Sequence, residues 1–229
     1  MIAYIFLFLT VFILLHVKKV VIVKGICVSG LNLAIFSIFL FSALRFDVGY
    51  DYTMYYHFIE GDIRFLDDQL NRLEFISKYM IIFANRIDFT QSFFILSSYL
   101  VVYLFFRVIK KHSLDVNLSA LIFLCFPLFF FQSLTIVRQY MALAIVFYGI
   151  KYIKEKKLIY YIFILLIASL FHKSAIIALP IYFLYGNVKI YKNLIIGIYI
   201  LGFFSSDILA FLIKIFSERY SIYLTDIAG

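Results

Sequence analysis

There is no tryptophan in this chain, and only two cysteines and two prolines among its 229 residues, of which 15% are charged. Each shortage excludes something. A soluble globular domain carries roughly 25% charged residues, so this composition, with 65% hydrophobic content and a mean hydropathy of +1.03, is that of a polytopic membrane protein. Cys27 and Cys125 stand singly in apolar runs, without CxxC spacing or a neighbouring histidine, so they read as small interior residues and imply no disulfide framework. No HExxH, DxD or Cys/His cluster appears, and no metal or cofactor is expected. A GxxxxGK[ST] phosphate loop is missing as well, which argues against ATP-driven phosphoryl chemistry. Linkers of the Gly/Ser or Pro type and internal repeats are also lacking, so residues 1–229 read as a single integral membrane domain.

What is present is a series of apolar runs, at residues 2–17, 26–44, 89–106, 118–131, 134–150, 158–171, 174–186 and 193–205, with a further segment at 207–216. The first has no basic residues before it and no small-residue cleavage site after it, so it reads as a span, not a removable signal. The expected fold class is all-α, a transmembrane bundle of about eight spans. Several runs are shorter than the roughly 20 residues that cross a hydrocarbon core, and short spans point to broken or tilted helices around a cavity.

The net charge of +8 has a topological explanation that needs no nucleic-acid partner. Twelve of the 21 Lys and Arg residues fall in alternate connections, around Lys18, Lys24, Arg107, Lys110, Lys151, Lys157, Lys189 and Lys192, accompanied there only by Asp115 and Glu155. The positive-inside rule assigns these connections to the cytoplasm. The others are then external, including residues 45–88. Within that stretch Leu73, Ile76, Met80 and Phe83 recur at three or four residues, the pattern of an amphipathic helix lying along the outer interface from Asp68 onward.

Three polar constellations fall on this outer side. The first is residues 45–56, where Arg45, Asp47 and Asp51 follow the end of a span and are joined by Tyr50, Tyr52, Tyr55 and Tyr56. These tyrosines could stack on sugar rings or belong to an interfacial aromatic belt. The second is residues 133–140, with Arg138 and Gln139 opening a span. A charge inside a span costs about 2.5 to 3.5 kcal/mol and so needs a partner or a wet cavity. Arg138 either forks a phosphate or carboxylate, or pairs with Asp47 or Asp51 to steady the bundle. The third is Phe171-His172-Lys173-Ser174, closing the sixth run. Cations beside carboxylates in a partly dry pocket suit an anionic ligand, with a carboxylate accepting the proton of a nucleophilic hydroxyl.

Arg45 with Val48-Gly49-Tyr50-Asp51-Tyr52 and Tyr55, the Arg138-Gln139 pair, and Phe171-His172-Lys173-Ser174 together resemble the EpsG-like branch of the Wzy-type polysaccharide polymerases. The likeness runs from about residue 40 to 185 and continues weakly to Glu218-Arg219-Tyr220 and Tyr223. It implies a glycosyltransferase of the bacterial cytoplasmic membrane whose active face is external. Such an enzyme transfers a glycan from a polyprenyl diphosphate carrier onto another lipid-linked repeat unit. The implied partners are that lipid-linked oligosaccharide, membrane lipid and other polysaccharide-assembly proteins. The roles implied are Arg45 and Arg138 on the diphosphate leaving group, with Gln139, Lys173, Tyr52 and Tyr55 also on the substrate; Asp47 or Asp51 as general base; and His172 or Lys173 assisting the leaving phosphate. Family members are generally longer, with further spans expected after Arg219 and Tyr220, so a truncated form, a need for a partner and inactivity all stay open. A transporter or flippase of lipid-linked sugars, or a noncatalytic assembly subunit, are the alternatives in other classes.

Overall fold

The computed structural model describes residues 2–17, 20–23, 26–61, 70–185 and 197. The segments expected at 193–205 and 207–216, the Glu218–Tyr223 motif, and Lys18, Lys19, Lys24, Lys189 and Lys192 lie outside them, as does residue 62–69 of the external connection. Residues Met1–Tyr185 make one compact unit and Gly186–Gly229 a second.

Within the first unit, α1 (Ile2–His16) and α2 (Gly30–Ala43) form an antiparallel pair, joined through a two-stranded hairpin, β1 (Val20–Val23) and β2 (Ile26–Val28), in which Val20 faces Val28 and Val21 faces Cys27. The apolar run expected at 26–44 thus starts as a strand. Both helices are apolar on every face, so the residues that meet are chosen by size and spacing. Leu7, Val11 and Leu15 of α1 and Gly30, Ala34, Ile38 and Ser42 of α2 are buried stripes, each stepping by four residues. A β-carbon on Gly30 would lie 2.0 Å from the Leu14 carbonyl oxygen, so only glycine permits this approach. The Ser29 hydroxyl caps α2 by accepting from the Asn32 N–H at 3.3 Å.

Among the described residues the connection carries α3 (Tyr52–Glu60) and α4 (Phe75–Arg86), which pack together. The amphipathic helix is thus α4, beginning at Phe75, not at Asp68. Next comes α5 (Gln91–His112), the central element, packed against α2 on one side and α8 (Val137–Tyr148) on the other. Its 22 residues reach about 33 Å, enough for a hydrocarbon core about 30 Å thick. Among the described residues it is the one helix long and apolar enough, by length and composition, to cross a membrane; Ile2–His16, Gly30–Ala43, Val116–Cys125, Leu158–Ser169 and Lys173–Leu184 are shorter apolar stretches. The expected count of about eight spans therefore does not follow from helix length here.

The shortening has local causes. Both prolines sit at helix boundaries. Pro127 stops α6 (Val116–Cys125), leaving Phe126 extended at ψ 120, and α7 (Phe130–Thr135) starts afresh, so the run at 118–131 is split. Ile136, at φ −112 and ψ 71, separates α7 from α8. After α9 (Ile150–Lys154) and α10 (Leu158–Ser169), a tight 3-10 turn at Lys173–Ala178 leads to α11 (Pro180–Leu184), where the missing N–H of Pro180 costs nothing at the first helical position. Large apolar side chains remain outward-facing on many helices, Ile2, Phe6, Ile159 and Ile177 among them. Exposure on that scale suits a lipid surround.

A candidate site at converging helix ends

The interhelical breaks bring separate parts of the chain together. In the turn before α3, Gly49 has φ +99, and a β-carbon there would lie 2.0 Å from the Leu134 carbonyl oxygen. Glycine is demanded twice, by conformation and by space. This close approach lets the Asp51 N–H donate to the Thr135 carbonyl at 3.3 Å and lays residues 49–51 over the start of α8. On the opposite flank, the Ile76 N–H donates to the Leu170 carbonyl and the fully buried Ser77 hydroxyl to the Phe171 carbonyl, both at 3.1 Å. The first turn of α4 is thereby tied to the turn after α10.

Between these two ties lies a carboxylate that sequence reasoning passed over. Glu74 precedes α4 and is 8% exposed; its Oε2 accepts from Arg138 Nη1 at 2.7 Å, and its Oε1 lies 3.0 Å from His172 Nδ1. The Lys173 backbone N–H points to the same Oε1 at 3.4 Å. Arg138 gives its Nε–H to the Tyr55 hydroxyl at 3.0 Å. A single buried acid thus joins the ends of three elements, and a guanidinium and an imidazole flank it. Burial pushes the Glu74 carboxyl up, but its own backbone N–H, the Arg138 charge and His172 together outweigh this and leave it below the usual range. Asp51 behaves oppositely. Half-buried beside α8, its carboxyl is raised by burial more than Arg138 and the Val137 backbone N–H lower it.

The expected residues are distributed as follows. Arg138 and His172 meet at Glu74, and Asp51 lies within reach of the Arg138 charge. Lys173 contributes its backbone N–H, and its side chain is exposed. Gln139 is exposed and, with Ser174, lines an apolar cavity of about 470 Å³ between α8 and the 3-10 turn. Asp47 is exposed at φ 50. Tyr52 and Tyr55 are turned inward, the first stacked on Phe94 at 4.6 Å and the second tilted against Phe93 at 4.5 Å between ring centres, whereas Tyr50 and Tyr56 are exposed. Glu74 and His172 have no third His, Cys, Asp or Glu near enough to complete a metal-sized group among the described residues.

Arg45 is apart from this cluster. It is 5% exposed and spends Nη1 on the Ser42 carbonyl at 3.0 Å and on the hydroxyls of Ser42 and Ser98 at 3.3 and 3.4 Å. Its guanidinium carbon lies 4.7 Å from the centre of the Phe94 ring. Gln91, first residue of α5, donates to the carbonyls of Ala43 and Arg45 and holds the end of α2 in place.

A model of the EpsG family matches residues 28–228 of the chain. No curated protein and no solved structure matches it.

Proposed function

Because the chain belongs to the EpsG family, we propose that it is a polysaccharide polymerase: a membrane glycosyltransferase that moves a glycan from a polyprenyl diphosphate onto a lipid-linked repeat unit at the outer face of the bacterial cytoplasmic membrane. The observation that carries this reading is Glu74 bridging Arg138 and His172 where separate helix ends meet. Such a cluster sets a partly exposed guanidinium and imidazole beside one buried carboxylate. In the reaction the bond between the anomeric carbon and the diphosphate oxygen breaks, and the acceptor hydroxyl oxygen bonds to that carbon. The hydroxyl proton goes to a carboxylate, and the departing diphosphate carries away negative charge.

Arg138 compensates that charge, with His172 and Lys173 beside it, and Glu74 holds Arg138 and His172 in register. Asp51 suits the base better than Asp47, because burial raises its carboxyl toward the working pH and Asp47 stands in solvent. The exposed faces of Tyr50 and Tyr56 are available to sugar rings.

The sidedness has its own support. Gln91 opens α5 beside Arg45, while at the far end of that helix Lys110 donates to Asn32 and His112 meets Lys154 at 3.4 Å. Lys110 and Lys154 thus lie at the opposite end of α5 from Gln91, which agrees with a positive-inside protein whose site is external. About eight spans in one domain remain part of this reading, with short helices bordering cavities.

In cells that make the glycan, Arg138→Gln, Asp51→Asn, His172→Ala and Glu74→Gln are expected to leave short, unpolymerised repeat units at normal protein levels. Long polymer in all four variants would overturn the reading.

A further inference from the structure

At the end of α5 away from Gln91, the cations are not equivalent. Lys110 donates to Asn32 at 2.7 Å and Lys157 pairs with Glu155 at 2.8 Å. Arg107 and Lys151 are met by tyrosines instead. Arg107 Nη1 donates to the Tyr103 hydroxyl, and its guanidinium carbon lies 5.7 and 5.6 Å from the ring centres of Tyr103 and Tyr148. Lys151 Nζ donates to the Tyr148 hydroxyl at 2.8 Å and lies 4.2 and 4.5 Å from the ring centres of Tyr148 and Tyr152. Phenols and ring faces fix these two cations in place without neutralising them.

Together with Tyr148, Lys111 and His112, the two cations border a recess of about 90 Å³ between α5 and the junction of α8 with α9. That is the liquid volume of roughly three water molecules, a space on the scale of one phosphate group. His112 Nδ1 faces Lys154 Nζ at 3.4 Å, and an ammonium only donates, so Nε2 is left as a further donor. No carboxylate borders the recess among the described residues; Glu155, whose charge reaches Lys111 and Lys151, is tied to Lys157. An apolar groove adjoins. Tyr99, Tyr103, Arg107 and Lys111 step by four residues along α5, one continuous ridge about 18 Å long. Tyr99 and Tyr103 stack at 5.5 Å between ring centres and, with Ile35, Phe36 and Phe39 of α2, line a groove of about 320 Å³. Tyr103 thus serves the groove with its ring and the recess with the hydroxyl that holds Arg107.

We propose that this end of α5 seats an anionic phospholipid, its phosphate in the recess on Arg107, Lys111 and Lys151 and an acyl chain in the α2–α5 groove. Shape and charge together select that class. A free phosphate uses the recess and leaves the groove empty, and a zwitterionic phospholipid brings an ammonium group to a place already held by cations. General attraction of lysines to an anionic leaflet needs neither a recess nor fixed side chains. Lys156, exposed at the same end, is a charge of that general kind. The seat stands whatever reaction the opposite end of α5 performs.

The test titrates the full chain in a neutral detergent with phosphatidylglycerol or phosphatidylethanolamine of the same acyl chains, and counts bound lipid by native mass spectrometry. Wild type is expected to prefer phosphatidylglycerol by roughly tenfold. Arg107→Gln and Lys151→Gln are each expected to remove most of that preference, whereas Lys156→Gln, the same loss of charge outside the recess, is expected to keep it. Ile35→Trp fills the groove and leaves every cation, and is expected to weaken retention of both lipids. Inorganic phosphate in excess is expected to leave phosphatidylglycerol bound. Equal retention of the two lipids by wild type, or an equal loss in Lys156→Gln and Arg107→Gln, would overturn the seat. Displacement by inorganic phosphate with no effect of Ile35→Trp would overturn it too, and would assign the recess to a free anion. Polymer length, read from the Arg138 and His172 variants, decides the polymerase reading separately.

Discussion

Arg45 and Arg138 are the same residue type at comparable helix ends, yet their environments differ in kind. Arg138 is 23% exposed and paired with a carboxylate and a phenol; Arg45 is 5% exposed and has no carboxylate partner among the described residues. The first is paired with an anion inside the protein. The second is held by hydroxyls, a carbonyl and the face of a ring. The difference shows that burial and charge do not by themselves mark how a cation acts; what its remaining donors face does.

The largest effect is expected from breaking the balanced side. Glu74→Ala leaves Arg138 without its anion and releases His172, and removing one partner of a buried pair costs about 3 kcal/mol, less than a fully dry pair because Arg138 is partly wet. A fall in midpoint temperature for unfolding in detergent measures it. Asp47→Asn, at an exposed position without a side-chain partner among the described residues and with a residue that also tolerates φ 50, is expected to leave the midpoint within error.

Next in size is the hinge that sets the two regions side by side. Gly49→Ala must place a β-carbon against the Leu134 carbonyl at φ +99, and the obstacle is backbone, so the turn itself has to lift from the end of α7. A cost of about 2 kcal/mol is expected, with Asp51 withdrawn from Val137 and polymer length reduced even where the protein accumulates normally. An unchanged midpoint would mean that the 49–51 turn does not rest on Leu134.

How much of this was legible beforehand follows from what each residue type can signal. Arg45, Arg138 and His172 stood out because a charge at the edge of an apolar run is conspicuous, and alternation of Lys-rich connections sorted them to one side. Glu74 did not stand out. It sits among many charges in residues 45–88, and with the amphipathic helix expected from Asp68 it looked like one more solvated face. Placing the helix start at Phe75 makes Glu74 the acid at a helix N-terminus, which is the signal that was available. Tyr52 and Tyr55 looked like sugar platforms because spacing alone cannot say which face of a short helix turns inward; Phe93 and Phe94, far along the chain, decide it. The breaks at Phe126 and Ile136 were hidden because Ile, Leu and Phe continue across them and Pro127 gave the one local sign, whereas the break at residues 172–173 was legible as the polar end of the sixth run.

The smallest effect separates the two carboxylates by sign. Glu74 is held below its ordinary range, so between the unfolded value near 4.5 and its folded value the unfolded chain binds more protons. Its stabilising contribution is present above that window and is lost as the pH falls through it. Asp51 is raised above 3.8, so there the folded chain binds more protons, and acidification favours the folded state. The two oppose each other near pH 4, which flattens the wild-type acid limb. Unfolding midpoints measured from pH 6 to pH 3 are expected to fall more steeply in Asp51→Asn than in wild type, and less steeply in Glu74→Gln. Parallel curves for all three proteins would show that neither carboxylate changes its protonation on folding, and Arg138 would then not be balanced by Glu74 in the way its 2.7 Å contact requires.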